Sequence, residues 1–167
     1  IPEDAFLVGC VGRLEPDKNP RLLVETVKAL RLRDPDVWVM IVGDGVSRRW
    51  LEWQFQEDGK VVFTGQQVRD DLPPFYLASD VLFHPSTLEG LSTVIAEALS
   101  LGVPVVSNDS GPITRGLVSN IADAPEELAA IIAARRYQLD SLPDFMTPEV
   151  NAQLWKRVVR DAVCGQG

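Results

Sequence analysis

Two short stretches of this chain carry side chains whose types and spacing could do chemistry. In the first, Gly12-Arg13-Leu14-Glu15-Pro16-Asp17-Lys18-Asn19-Pro20, two cations stand five residues apart just before a segment of helical period. Arg13 and Lys18 at the start of a helix could clamp a diphosphate, because the free amides and the positive end of the helix dipole add to their charge. The same spacing also suits two solvated charges beside Glu15 and Asp17. The second stretch runs from Pro85 to Glu97 and holds Glu89 and Glu97. Gly90 lets backbone come close to a ligand, and Ser92 or Thr93 suits the cap of the helix that follows. Glu89 lies in the loop. Glu97 lies one to two turns into the helix among Val94, Ile95, Ala98 and Leu99, where a carboxylate needs a partner. A ribose diol supplies two donors, and a salt bridge would serve equally; the residues leave both open.

Such residues need elements that bring them together. Apolar runs at residues 6–12, 37–42, 61–63, 81–84 and 104–107 are expected to be strands, with 116–118 as a brief sixth. Between them, helices are expected over 20–32, 47–56, 70–79, 92–101, 125–139 and 147–163. Residues 20–32 place Leu22, Leu23, Val27 and Leu30 on one face, with a proline in the first turn. Continuously apolar strands separated by helices predict a doubly wound α/β domain with a parallel sheet of roughly six strands, covered by helices on both faces. Ligands on such sheets bind beyond the carboxyl ends of the strands, where both stretches lie.

The totals narrow the classes. With 167 residues the chain suits one domain, and 46% hydrophobic residues suit a globular core. A net charge of −8 argues against non-specific nucleic-acid binding. No apolar run approaches the length of a membrane span, and residues 1–4 lack the pattern of a signal peptide. Two cysteines, Cys10 and Cys164, form neither a disulfide framework nor a metal cluster, so a reducing cytoplasm is the expected setting. His84, the single histidine, stands at a strand's carboxyl end and is read as structural. Trp38, Trp50, Trp53 and Trp155 are read as packing residues, and Asp140, Asp144 and Glu149 as a solvated loop.

From Gly12 to Val106 the chain resembles the C-terminal domain of the retaining glycosyltransferases of family 4, which have the GT-B fold. The matching pieces are Gly12-Arg13-Leu14 with Lys18, Val42-Gly43-Asp44-Gly45, Phe63-Thr64-Gly65, Tyr76 to Val81, Pro85-Ser86 through Glu89-Gly90 to Glu97-Ala98, and Gly102 to Val106. Glu89 and Glu97 match the family's two glutamates, which have seven residues between them. The resemblance implies that Arg13 and Lys18 hold the donor's diphosphate and stabilise its charge as the sugar departs. It implies that Glu89 binds donor-sugar hydroxyls rather than acting as nucleophile, and that Glu97 binds the ribose. Gly12 and the backbone of Gly90, Leu91, Ser92, Thr93 and Val94 would approach phosphate. Gly65-Gln66-Gln67-Val68 would lie along the base.

The implied activity is transfer of a sugar from a UDP-, GDP- or ADP-linked donor to a glycan, lipid or small-molecule acceptor. No cofactor and no metal are expected, since cations and helix amides stabilise the leaving diphosphate. The acceptor domain of such enzymes is expected to be missing from these residues, so the domain alone would bind donor and transfer little. After Ser110-Gly111 the chain departs from the family, covering in Pro112-Ile113-Thr114-Arg115-Gly116-Leu117 a region usually longer. A non-catalytic nucleotide-binding module and a nucleotide-sugar epimerase are the alternative readings.

Overall fold

The structure, a computed structural model, describes residues 1–90 and 92–143. Six parallel strands form one sheet in the order β3-β2-β1-β4-β5-β6: β1 Leu7–Val11, β2 Trp38–Val42, β3 Val61–Gly65, β4 Val81–His84, β5 Val105–Ser107 and β6 Asn120–Ile121. The helices are α1 Pro20–Arg33, α2 Arg48–Gln54, α3 Pro73–Leu77, α4 Thr93–Ser100, α5 Pro112–Leu117 and α6 Pro125–Ala134. The doubly wound α/β sheet expected from the apolar runs is the sheet observed.

Alternation along each strand divides the runs between two cores. Val8 and Cys10 of β1, Val39 and Ile41 of β2, and Val81 and Phe83 of β4 face α1, α2 and α6. Leu7 and Val11, Met40 and Val42, and Leu82 point the other way, toward Tyr76 of α3, Ile95 and Ala98 of α4, and Leu117 of α5. A strand buried on both faces must be apolar at every position, which is why β1 reads as an unbroken run. Ile41 and Leu82 are fully buried, and each such side chain contributes about 1.5–3 kcal/mol of transfer free energy. Burial in the first core also pushes the Cys10 thiol up to about 12, so it stays protonated and inert.

Several boundaries move. The sixth strand is Asn120–Ile121, not residues 116–118. Gly116 and Leu117 instead finish α5, which Pro112 opens at its first position. Asn120 is fastened by its side-chain amide, which donates to the carbonyls of Val105 and Gln138. The helix expected over 125–139 stops at Ala134, where Arg135 turns into the left-handed region at φ 52°. Beyond it Asp140 is a fastening rather than a solvated loop residue, accepting from the backbone N and the hydroxyl of Ser119 at 2.9 and 2.5 Å. The segment expected to be helical over 70–79 divides into a 3-10 turn, Arg69–Asp71, and α3, because Pro73 and Pro74 lack amide donors. The expected helix over 147–163, with Asp144, Glu149, Trp155 and Cys164, lies outside the described residues.

Candidate functional site

Strand order reverses at the β1–β4 pair, so the loops leaving these two strands face each other at the carboxyl end of the sheet. Two adjoining cavities open there. The larger, 620 Å3, is lined by residues including Gly43, Asp44, Gln66, Gln67, Arg69 and Glu97. The smaller, 340 Å3, is lined by Lys18, His84, Glu89 and Ser92. Val11, Gly12, Arg13, Thr93 and Val94 line both, so the β1 loop and the first turn of α4 form the shared wall.

The loop after β1 is held from three sides. Leu14 N donates to Asp44 O at 2.8 Å, and Gly12 N to Val42 O at 3.0 Å. Gly43 permits this close packing, since a Cβ there would stand 1.9 Å from Gly12 O. At the far end, Asn19 adopts a left-handed conformation and caps α1, its Oδ1 accepting from Leu22 N at 3.3 Å. The Asp17 carbonyl accepts from Thr87 N, Thr87 Oγ1 and Ser86 Oγ at 2.9, 3.0 and 3.1 Å. That single oxygen ties the loop bearing Arg13 and Lys18 to the loop bearing Glu89.

The β4 loop is scaffolded equally closely. Asn108 pairs with the Ser86 backbone through both its amide groups, at 2.9 and 2.8 Å, and Glu89 N donates to Ser110 O at 2.8 Å. Ser92 caps α4 as expected, accepting from Ile95 N at 3.4 Å, which leaves the amides of the first turn facing the cavities.

Glu89 Oε1 gathers its neighbours. Lys18 Nζ pairs with it, Ser86 Oγ, whose one hydrogen is shared with the Asp17 carbonyl, lies 3.0 Å away, and His84 Nε2 lies 3.3 Å away. The hydrogen bond from His84, reinforced by Lys18 and opposed by desolvation, holds the Glu89 carboxyl down at about 2. An ionised carboxylate only accepts, so the His84 Nε2 carries its proton and donates. The same N–H is shared with Ser92 Oγ at 3.2 Å. His84 is 4% exposed.

Glu97 is held differently. Tyr76 Oη donates to Oε2 at 2.7 Å, and Arg69 Nη2 lies 3.2 Å from Oε1. Burial first, and Glu97 second, push the Tyr76 hydroxyl well above its ordinary value, so it stays a donor. Both partners that an apolar helix demanded of Glu97 are therefore protein side chains here. Arg13 is largely open at the crevice, 69% exposed and touching only Asp17, at 3.3 Å, among the described residues.

Of the residues expected in the site, Gly12, Arg13, Thr93 and Val94 line both cavities, Gln67 and Glu97 the larger, and Lys18, Glu89 and Ser92 the smaller. Gly65, Val68 and Gly90 lie off both linings, and Leu91 lies outside the described residues. Gly65 ends β3 and accepts from Gly43 N at 2.8 Å, while Val68 is exposed. Sequence reasoning missed Arg69 and Tyr76 as partners of Glu97, for which no local spacing gives a signal. His84, read from the sequence as structural, lines the smaller cavity and reaches Glu89 and Ser92. Strand alternation was the available signal, because a residue two beyond Leu82 must share its face with α4 and hence with Ser92. Among the described residues no group of three His, Cys, Asp or Glu side chains converges as a metal site, and no helix is long and apolar enough to cross a membrane.

Residues 1–123 match the family described as "Glycosyl transferases group 1". The chain is 34% identical over 146 residues to a GDP-mannose-dependent α-mannosyltransferase of Mycolicibacterium smegmatis, an alignment covering 81% of this chain and 37% of that protein. It is 36% identical over 118 residues to the Escherichia coli UDP-Gal:α-D-GlcNAc-diphosphoundecaprenol α-1,3-galactosyltransferase, covering 66% and 30%. It thus spans about a third of the length of these relatives. The crystal structure of Anabaena HepE in complex with UDP superposes with a TM-score of 0.70 at 25% identity, over 93% of this chain and 49% of that one. With its six-stranded parallel sheet matching GT-B structures and its sequence matching these enzymes, the chain belongs to the group 1 glycosyltransferases.

Proposed function

We propose that this domain binds the nucleoside diphosphate sugar of a retaining, metal-independent glycosyltransferase and stabilises the diphosphate as it leaves. The observation that carries the reading is the pair of adjoining cavities, with Glu97 in one, Glu89 and Lys18 in the other, and Arg13 and the first turn of α4 at their shared wall. The larger cavity, beside Glu97, takes the nucleoside; the smaller, beside Glu89, takes the sugar. Arg13 and the α4 amides lie between them, where a diphosphate linking the two would pass.

Breaking the anomeric C–O bond leaves negative charge on the distal phosphate. Arg13, Lys18 and the amides of Thr93 and Val94 supply preorganised positive charge at that point, the role that some other transferases assign to a metal ion. Glu89 is read as an acceptor for a sugar hydroxyl. Its carboxylate is already fixed by Lys18, Ser86 and His84, which suits positioning better than nucleophilic attack. The donor is read as a UDP-, GDP- or ADP-linked sugar; relatives named for GDP-mannose and UDP-Gal support the first two bases and leave the choice to the titration below. Closure of an acceptor-bearing partner domain over these cavities would exclude water.

Calorimetric titration with UDP, GDP and ADP, with and without EDTA, tests the reading. It expects saturable binding of one nucleotide, indifferent to EDTA. Absence of binding by all three would sink it, and binding abolished by EDTA would remove the metal-independent part.

A further inference from the structure

We infer that His84 is the positioning residue of the smaller cavity: its Nε2–H ties Glu89 Oε1 to the cap of α4, leaving Glu89 Oε2 as the acceptor offered to a sugar hydroxyl. This rests on the reading of that cavity as the sugar subsite. Three groups converge on Oε1, from two segments: Lys18 from the β1 loop, and His84 and Ser86 from the end of β4 and the loop that leaves it. Among the described residues nothing donates to Oε2. A carboxylate with one oxygen saturated and the other open has its orientation decided before any ligand arrives.

Lys18 and Ser86 alone would not decide it. Lys18 is an ammonium on a flexible stem, also within 3.9 Å of Asp17, and it can follow the carboxylate wherever it turns. Ser86 can rotate its hydroxyl toward the Asp17 carbonyl, 3.1 Å away. The imidazole of His84 is rigid and buried, and its ring nitrogen lies between Glu89 and Ser92, the residue that sets the first turn of α4. His84 thereby fixes the carboxylate against the same helix end whose amides line the cavity. An apolar residue at this position would fill the space without specifying which oxygen faces the ligand.

The test uses two side chains of similar length that differ in donor capacity, His84→Gln and His84→Met. Carboxyl carbon NMR titration of Glu89 is the first readout and needs no ligand. Lys18 and Arg13, which line the same cavity, and Asp17, Glu15, Asp44, Arg69 and Glu97 around it, are unchanged in both variants. Loss of the donor is expected to move the Glu89 midpoint up from about 2 toward its ordinary 4.5 in the Met variant, with the Gln variant remaining near the wild type. Equal midpoints in all three proteins would overturn the inference, and so would equal rises in both variants. Titration with UDP and UDP-glucose, and with GDP and GDP-mannose, is the second readout. The Met variant should lose roughly tenfold in sugar-nucleotide affinity relative to the bare diphosphate, the size expected for one charge-assisted hydrogen bond, with recovery in the Gln variant. Parallel loss of both ligands would reduce His84 to a structural role. Glu89→Ala separates the two claims: if it leaves the sugar-to-diphosphate ratio unchanged, the subsite assignment fails, while the NMR arm still decides whether His84 holds Glu89.

Discussion

The two ends of the sheet each carry a concavity lined by charge, yet only one has the makings of a site. At the amino end, α1, α2 and the start of β3 enclose 650 Å3, slightly more than the larger cavity at the carboxyl end. Its cations are all committed. Arg31 forks onto both oxygens of Asp58 at 2.7 and 3.2 Å and also donates to the Val37 carbonyl; Lys60 holds Asp36 and Pro35 O; Lys28 donates to Gln54. At the carboxyl end Arg13 is largely open, Glu89 Oε2 accepts nothing from the described residues, and the first turn of α4 presents amides without helical acceptors. Volume is nearly equal at the two ends. Uncommitted hydrogen-bonding capacity, gathered where the strand order reverses, is what differs.

The largest effect is expected from the two cations of the carboxyl-end crevice. Arg13→Ala combined with Lys18→Ala should weaken nucleoside diphosphate binding by at least about 100-fold, taking about 1.5–3 kcal/mol for each charged hydrogen bond. The free nucleoside should be affected far less, and equal losses for both would contradict a diphosphate clamp. Glu97→Ala should cost about 1–3 kcal/mol of nucleotide affinity, with unchanged binding by titration removing Glu97 from the site. Arg31→Ala is the counterpart at the other end. It should lower stability to chemical denaturation by about 1–3 kcal/mol and leave nucleotide affinity untouched.

The native carboxyl of Glu89 is held below its ordinary value, so its contribution to stability is complete above pH 4.5 and is lost as pH falls toward about 2. The stability advantage of the wild type over Glu89→Gln in denaturation midpoints should therefore shrink as pH falls from 4.5 toward about 2. An advantage that stays constant through that interval would show that the carboxylate is not held as described. Lys28→Ala, which removes an exposed pair with Gln54, should shift stability by no more than about 0.5 kcal/mol.

How much of this was legible beforehand depends on how local the signal is. Strands β1, β2 and β4 announce themselves because burial on both faces demands an unbroken apolar run. Asn120–Ile121 has only two residues and no period, and it is a strand because Val106 and Ser107 lie beside it. Arg13, Lys18, Glu89 and Glu97 could be singled out because a charge beside glycine, or inside an apolar helix, requires an explanation. The coupling of the two loops through the Asp17 carbonyl could not, since main-chain chemistry leaves no mark on residue type. Arg69 and Tyr76 reach Glu97 from 28 and 21 positions away, and nothing in their neighbourhoods marks the meeting.

On the proposed reading the carboxyl-end crevice, and not the equally roomy amino-end groove, receives a nucleoside diphosphate. Backbone amide NMR of the labelled chain, titrated with UDP and with GDP, measures it directly. Saturable shifts are expected at Gly12, Arg13, Gln67, Thr93 and Val94 for one of the two nucleotides, with Lys28, Arg31 and Lys60 silent. Shifts confined to those three residues, or no saturable shift with either nucleotide, would contradict it.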